Sequence, residues 1–273
     1  MLILERLPAD TTQAAWVCSH IHAIDDMPDA TPEPAAPPPA WIKRLGPLAP
    51  IVAVLLKGKG LLALFKAKSL LTLGAFMVVY ARLFGAAFGV GFALLILAHE
   101  MGHYIDVRRR GLPADMPVFL PGLGAYVRWR ALGVSNVVRA EVSLAGPLAG
   151  AFAAVTCAVV WWTTGSPVWA ALARASAWLN VLNLIPVWAL DGGQAFSAFD
   201  RADRIALLTI SIVLWLVFGE AIFLLVAAGA TYRLFTKDLP PSPSRMTMAY
   251  MGVLLACLGM IMRLMPGQGA GLP

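Results

Sequence analysis

Two histidines and a glutamate stand at the end of an apolar stretch, at a spacing that suits metal chemistry. Residues 84–106 read FGAAFGVGFALLILAHEMGHYID, long enough at about 1.5 Å per helical residue to cross the hydrocarbon of a bilayer. His99 and His103 are four positions apart, so on a helix both imidazoles lie on one face and can bind the same metal ion. Glu100 adjoins the first histidine, where its carboxylate can reach a water molecule at the metal.

The alternative interpretation is that His99 and His103 are hydrogen-bonded polar residues inside a helix bundle. Ionisable residues are costly at membrane depth and mark functional sites there. The chain contains only 4 histidines, and these two share metal-ligand spacing within an apolar helix. We therefore favour a metal site of the H-E-x-x-H type, which is the arrangement of zinc hydrolases.

The composition is that of a polytopic membrane protein. Of the 273 residues, 59% are hydrophobic and 13% are charged, whereas soluble domains contain about 25% charged residues. The net charge of +6 comes from basic residues at the ends of apolar runs, a membrane pattern rather than a nucleic-acid signature. The widely spaced Cys18, Cys157 and Cys257 predict neither a disulfide framework nor a cysteine-based zinc site.

The hydrophobic pattern predicts an all-α fold with about six transmembrane helices. The predicted spans are 69–83, 85–106, 142–163, 168–190, 205–230 and 246–264. Between the second and third spans, the short runs Met116–Leu120 and Ala125–Trp129 flank the turn residues Pro121–Gly124. This pattern predicts a small β-hairpin.

The predicted domain organisation has four parts. Residues 1–44 form a polar and then Pro-rich segment, which is typical of an extended linker. Residues 45–68 are predicted to form interfacial or re-entrant helices, because lysines interrupt their short apolar runs. The membrane domain is predicted to cover 69–264, followed by a short tail at 265–273.

Basic residues predict the orientation. Six spans bring most of them to one side: Lys57, Lys59, Lys66, Lys68, Arg108, Arg109, Arg110, Arg128, Arg130, Arg139, Arg201 and Arg204. By the positive-inside rule this side is cytoplasmic. We therefore predict a multi-pass protein of the cell membrane with its metal site near the cytoplasmic side and with both termini in the cytoplasm.

A catalytic zinc usually takes three protein ligands, and the patterns of soluble zinc peptidases do not supply the third. Metzincins place Gly and His where this chain has Asp106 and Arg109. The glutamate of the gluzincin plan is also missing, since none occurs between His103 and Glu141.

Asp191 is the favoured third ligand. It ends the fourth predicted span on the same side of the membrane as His103, so the two should lie at similar depth. The alternative is a helix-end carboxylate in a turn closed by Gly192 and Gly193. The histidine pair at the same depth favours the ligand.

The combination of these motifs resembles the site-2 protease family of intramembrane zinc metalloproteases. HEMGH lies in one predicted transmembrane helix, and NLIPVWALDGG at 183–193 ends a later one. AGPLAG at 145–150, which opens the span between them, is also similar to that family's pattern. The resemblance covers residues 85–193.

The resemblance implies a catalytic core of three helices that holds one zinc ion per chain. His99, His103 and Asp191 would be the zinc ligands, and Glu100 would be the general base. Asn183 matches the family's asparagine, which implies that it holds the substrate or the oxyanion.

The expected activity is that of a zinc metalloendopeptidase that hydrolyses peptide bonds in or near transmembrane segments of membrane proteins. Its partners would be a transmembrane protein substrate and the bilayer, without nucleic acid. Two alternatives remain open: an intramembrane metal transporter, and a proteolytically inactive relative that binds membrane segments. Asn180 is either an interhelical hydrogen-bonding residue or a substrate contact, and Glu220 is either a packing residue or part of a gate. The sequence predicts neither the substrate nor the oligomeric state.

Overall fold

The computed structural model describes residues 59–122, 124–130, 133–187 and 190–266, with the side chains of residues 59–66 left out. The predicted linker at 1–44, most of the segment 45–68 and most of the tail therefore lie outside the described residues.

The described part of the chain is mostly helical and contains one small sheet. Its elements are α1 (Lys59–Phe84), α2 (Ala86–Arg109), β1 (Val118–Leu120), β2 (Gly124–Tyr126), α3 (Asn136–Thr164), α4 (Pro167–Asn183), α5 (Asp191–Ala195), a 3-10 turn (Phe196–Ala198), α6 (Arg201–Phe218), α7 (Ile222–Leu234) and α8 (Arg245–Leu264). The predicted helical fold class and hairpin are confirmed.

Four of the described helices are long and apolar enough to cross a membrane: Ala67–Phe84 within α1, and the whole of α2, α3 and α8. Large apolar side chains face outward from them, including Trp162 at 82% exposure and Phe152 at 67%. Outward-facing apolar side chains on long helices suit a lipid environment, because lipid does not drive them inward.

The helix does not break at the predicted boundary at residue 68, because α1 runs from Lys59 to Phe84, although its candidate membrane span starts nearby at Ala67. Residues 61–73 contain neither Pro nor Gly, so nothing in the sequence ends the helix there. Residues 59–68 and the first predicted span thus belong to one helix.

The predicted single span at 205–230 is wrong, because α6 and α7 form a helical hairpin instead. Gly219 takes a left-handed conformation with φ 73° and ends α6. The buried Arg204, near the start of α6, donates to the carbonyl of Arg233 at the end of α7 and to the carbonyl of Asp238 at 2.8 Å. The start of α6 and the end of α7 therefore lie at the same end of the bundle.

The hairpin also determines at which end of the bundle α8 begins, whereas the predicted cytoplasmic placement of both termini concerns residues outside the described ranges and stays a prediction. Ser244, which caps α8, donates its backbone N–H to the carbonyl of Ala198 at 3.0 Å, near α5. At its other end, the carbonyl of Met262 accepts from Arg174, which lies within α4. Helix α8 therefore starts at the end of the bundle where α5 lies and finishes toward the opposite end.

The predicted fourth span, 168–190, contains a shorter helix that is followed by irregular chain at 184–187. Helix α4 ends at Asn183, and Leu184 closes it with bonds to the last turn. Pro186 cannot continue the helical ladder because it lacks an N–H. The chain then restarts as α5 at Asp191.

The sheet consists of β1 and β2 in antiparallel pairing, with Phe119 opposite Ala125. It is attached to α1: Ser69 Oγ donates to the carbonyl of Pro117 at 2.5 Å, and the N–H of Phe119 donates to Thr72 Oγ1 at 3.3 Å. Phe119 is fully buried. These contacts hold the hairpin beside the membrane helices.

Helices α2, α3 and α4 pack in sequence against one another and form the centre of the bundle. A Cβ on Gly102 of α2 would overlap the backbone of Ala145 on α3, so the two helices approach closely there. At the end of α2, Arg110 pairs with Asp106 at 2.7 Å and with Glu141 of α3 at 3.0 Å. The end of α2 is thereby fixed to the start of α3.

Candidate metal centre

Three side chains from two distant parts of the sequence meet at one point. His99 Nε2 lies 3.2 Å from His103 Nε2. Asp191 Oδ2 lies 3.2 Å from His99 Nε2 and 3.3 Å from His103 Nε2. The side chains are largely buried, and Asp191 is the most exposed at 13%. This group could hold a metal ion.

Hydrogen bonds on the far side of each imidazole fix which ring nitrogen carries the proton. His99 Nδ1 lies 2.7 Å from Asn180 Oδ1, and His103 Nδ1 lies 2.8 Å from the carbonyl oxygen of Val142. Both oxygens only accept, so each Nδ1 donates. The Nε2 atoms of the neutral rings therefore direct lone pairs toward each other and toward the carboxylate of Asp191. A metal cation held between these three atoms would relieve this repulsion.

Asn180 is itself oriented by its neighbours. Its Nδ2 donates to the carbonyl of Ser176 at 2.7 Å, which leaves Oδ1 to face His99. Ser176 Oγ in turn donates to the carbonyl of Gly150 on α3 at 3.1 Å. The structure therefore shows an interhelical hydrogen bond for Asn180, and its partner is a histidine of the metal site.

The small residues of 145–150 make room for the site. A Cβ on Gly146 would overlap the imidazole of His103, and a Cβ on Gly150 would overlap the amide of Asn180. These two glycines are four apart, so they lie on the same face of α3. The sequence marked this stretch only through the family resemblance, because the steric requirement depends on how α3 packs against α2 and α4.

Asp191 is positioned by the turn between α4 and α5. It is the first residue of α5 and follows the irregular chain after Asn183. A Cβ on Gly192 would overlap the carbonyl of Leu184, so a glycine is required for α5 to start against the end of α4. The LDGG sequence thus provides the carboxylate of Asp191 and, through Gly192, allows the close approach of the two backbone segments.

A cavity of about 460 Å³ opens beside the three donors. Glu100 and Asn183 line it together with the metal-site residues. Glu100 is 6% exposed, and Val127, just after β2, lines the same cavity. Glu100 therefore borders the same space as the donor group without belonging to it.

Glu220 lies away from this cavity. Its carboxylate accepts from Arg174 Nη2 at 2.6 Å, in the break between α6 and α7. The same guanidinium contacts the carbonyl of Met262. Glu220 thus takes part in a contact that joins α4, α8 and the α6–α7 hairpin.

Comparisons with protein-family models, with curated proteins and with solved structures found no match.

Proposed function

We propose that this protein is an intramembrane zinc metallopeptidase that cuts peptide bonds in or near transmembrane segments of other membrane proteins, as the resemblance to the site-2 protease family implies. The main support is that the donor atoms of His99, His103 and Asp191 lie within 3.3 Å of one another. Glu100 lines the same cavity but is not one of these donors. Metal-assisted hydrolysis requires such a set of metal-binding atoms and, beside it, a carboxylate that does not bind the metal.

Zinc is the proposed metal, one ion per chain. Two imidazole nitrogens and a carboxylate oxygen are ordinary zinc ligands. At Zn–N distances of about 2.0–2.1 Å, a tetrahedral site has edges of about 3.3–3.4 Å. The three donor separations of 3.2, 3.2 and 3.3 Å are close to that size. Three protein ligands also leave a fourth position open.

The residues around the site then divide the work of hydrolysis. When bound, zinc would lower the pKa of water to roughly 7 and polarise a carbonyl. The Glu100 carboxylate takes the proton of the attacking water and delivers it to the leaving amine. The side chain of Asn183, which lines the same cavity, offers an amide N–H to the developing oxyanion.

The substrate must be extended at the cut, because a helix hides its carbonyls in its own hydrogen bonds. Phe119 donates its N–H to Thr72, so the Phe119–Ala125 pair is not mutually hydrogen-bonded. The N–H and C=O of Ala125 therefore point away from β1, on the edge of β2 that borders the cavity. We propose that an extended substrate adds to this edge.

The site is proposed to face the cytoplasm. The basic residues Arg108, Arg109, Arg110 and Arg201 lie at the end of α2 and the start of α6, near the metal-site end of the bundle. The positive-inside rule assigns such an end to the cytoplasmic side.

The direct test compares zinc content and cleavage in purified protein. Because no local third ligand follows His103, Asp191→Ala should lose bound zinc and also cleavage of a labelled transmembrane peptide. Arg201→Gln, an exposed change at the start of α6, is the control and should retain both. Full zinc content in Asp191→Ala would remove this residue from the site.

A further inference from the structure

A second cavity, of about 400 Å³, adjoins the metal-site cavity at the C-terminal end of β2. It is lined by Tyr126, Val127, Arg128, Trp129, Arg139 and Gln194. All except the two arginines also line the metal-site cavity. The two cavities therefore share a wall, and a peptide that lies along β2 beside the metal site would pass close to the second one.

Among the described residues that line this second cavity, two are arginines and none is acidic. Among the described residues, neither Arg128 nor Arg139 forms an ion pair, whereas Arg110, Arg174 and Arg204 each pair with an acid. The Nε of Arg139 is buried and has no hydrogen-bond partner. A buried donor without an acceptor is unfavourable by about 1–3 kcal/mol, and more when it is charged.

The position of Arg139 adds positive potential to that of its own guanidinium, which further favours the binding of an anion. It lies near the start of α3, whose first turn contains no acidic residue. The N-terminal end of a helix carries positive potential, so the guanidinium stands in an environment that favours negative charge. Arg128, on the segment after β2, is the second arginine that lines this cavity, and it also borders a smaller cavity with Asp115.

We propose that this cavity binds an acidic side chain, Asp or Glu, of the substrate, a few residues from the bond that is cut. Guanidinium groups recognise carboxylates by paired, charged hydrogen bonds. The inference rests on the proposed peptidase function and adds a substrate class to it. A peptide carboxylate is favoured over a lipid headgroup because the cavity shares Tyr126, Trp129 and Gln194 with the metal site.

The experiment uses labelled transmembrane peptides in which each position around the cleavage site carries either Gln or Glu. Zinc-loaded protein in neutral phosphatidylcholine nanodiscs should cleave the Glu peptide better at one position, by about tenfold in kcat/KM, the size of one charged hydrogen bond. That ratio should fall to about one in Arg139→Gln and in Arg128→Gln. Arg139→Lys should keep part of the preference, and the control Arg201→Gln should keep all of it.

A second readout separates this inference from the proposed function. Zinc-loaded Glu100→Gln should bind the favoured Glu peptide more tightly than its Gln partner in fluorescence anisotropy, and Arg139→Gln in that background should abolish the difference. This binding preference without cleavage by the wild type would support the acidic subsite and contradict the peptidase. Efficient cleavage with equal rates for Gln and Glu at every position would support the peptidase and overturn the subsite.

The same assay with anionic lipid tests whether the cavity binds a lipid headgroup instead of a substrate carboxylate. The peptide preference should survive when phosphatidylglycerol is added to the nanodiscs. If anionic lipid abolishes the Glu preference of the wild type through Arg139, the cavity is a headgroup site and the proposal is wrong.

Discussion

At the scale of single residues, the site depends on atoms that do not touch the metal position. Asn180 and the carbonyl of Val142 hold the Nδ1–H of His99 and of His103, so that both Nε2 atoms present lone pairs to the centre. Partners of this kind orient metal-binding histidines and raise their basicity.

We expect Asn180→Ala to weaken zinc binding by about 10- to 100-fold, the usual effect of removing such a partner. The physical reason is that His99 loses the acceptor that selects its tautomer. Competition with a coloured chelator measures the affinity. Asn183→Ala is the matched control on the same helix end, since Asn183 lines the cavity without bonding either histidine, and its zinc affinity should be that of wild type. Equal affinity in Asn180→Ala would contradict this account.

Some of this residue-scale detail is readable in the sequence and some is not. The spacing of His99 and His103 and the depth of Asp191 predict the group that the structure brings together. The partners of the Nδ1 atoms depend on side-chain rotamers and on the register between α2, α3 and α4. No local pattern encodes that register, so the sequence left Asn180 with two interpretations.

At the scale of elements, the site requires α3 to pass very close to α2 and α4. Gly146 faces the ring of His103, and Gly150 faces Asn180. Side chains at these two positions would occupy the space that the metal-site residues use. The helix therefore accepts two glycines, which are unfavourable in helix interiors by about 1 kcal/mol each.

Gly146→Ala should lower zinc occupancy strongly, because its Cβ would overlap the imidazole of His103. Atomic absorption on purified protein measures the zinc content, and a thermal melt reports the fold. Gly74→Ala in α1 is the control, since a Cβ there meets nothing within 4 Å. Wild-type zinc content in Gly146→Ala would show that α3 lies farther from His103 than described.

Helices α6 and α7 show that the hydrophobic pattern alone did not predict a turn within an apolar stretch. Residues 205–230 are apolar enough to resemble one span, yet Gly219 ends α6 and the chain turns back as α7. The local signals were present: a glycine at the break, and Asp200 and Asp203 forming a capping box at the start of α6. Hydrophobicity over a long window outweighed them in the prediction. The fold of α6 onto α7 depends on the tertiary contacts of Arg204, which have no local signature.

At the scale of the whole molecule, the α6–α7 hairpin sets where the chain ends relative to the metal site. Helix α8 starts near Ala198 and runs toward the end of the bundle opposite the site. With the site facing the cytoplasm, the end of α8 would face the other side of the membrane.

Cysteine labelling in intact cells tests this arrangement, after Cys18, Cys157 and Cys257 have been replaced by Ser. New cysteines at the exposed positions Arg109 and Arg201 should be protected from an impermeant maleimide, because they lie at the metal-site end. New cysteines at Thr164 and Arg263, at the opposite end, should be labelled. Permeabilised cells provide the control, in which all four should react. The reverse pattern would invert the orientation, and labelling of Arg201 together with Arg263 would contradict the hairpin.

Glu100 is proposed to act as a base beside a zinc site to which it does not belong. Glu100→Gln keeps the size and hydrogen-bonding reach of the side chain but removes its ability to take a proton. Zinc content and cleavage of a transmembrane peptide should be measured on the same purified sample. We expect wild-type zinc content and a fall in cleavage of about 10²- to 10⁴-fold, the usual contribution of a general base. If Glu100→Gln loses the zinc, as a transporter with Glu100 among its ligands would predict, or if it cleaves at the wild-type rate, the proposed mechanism is wrong.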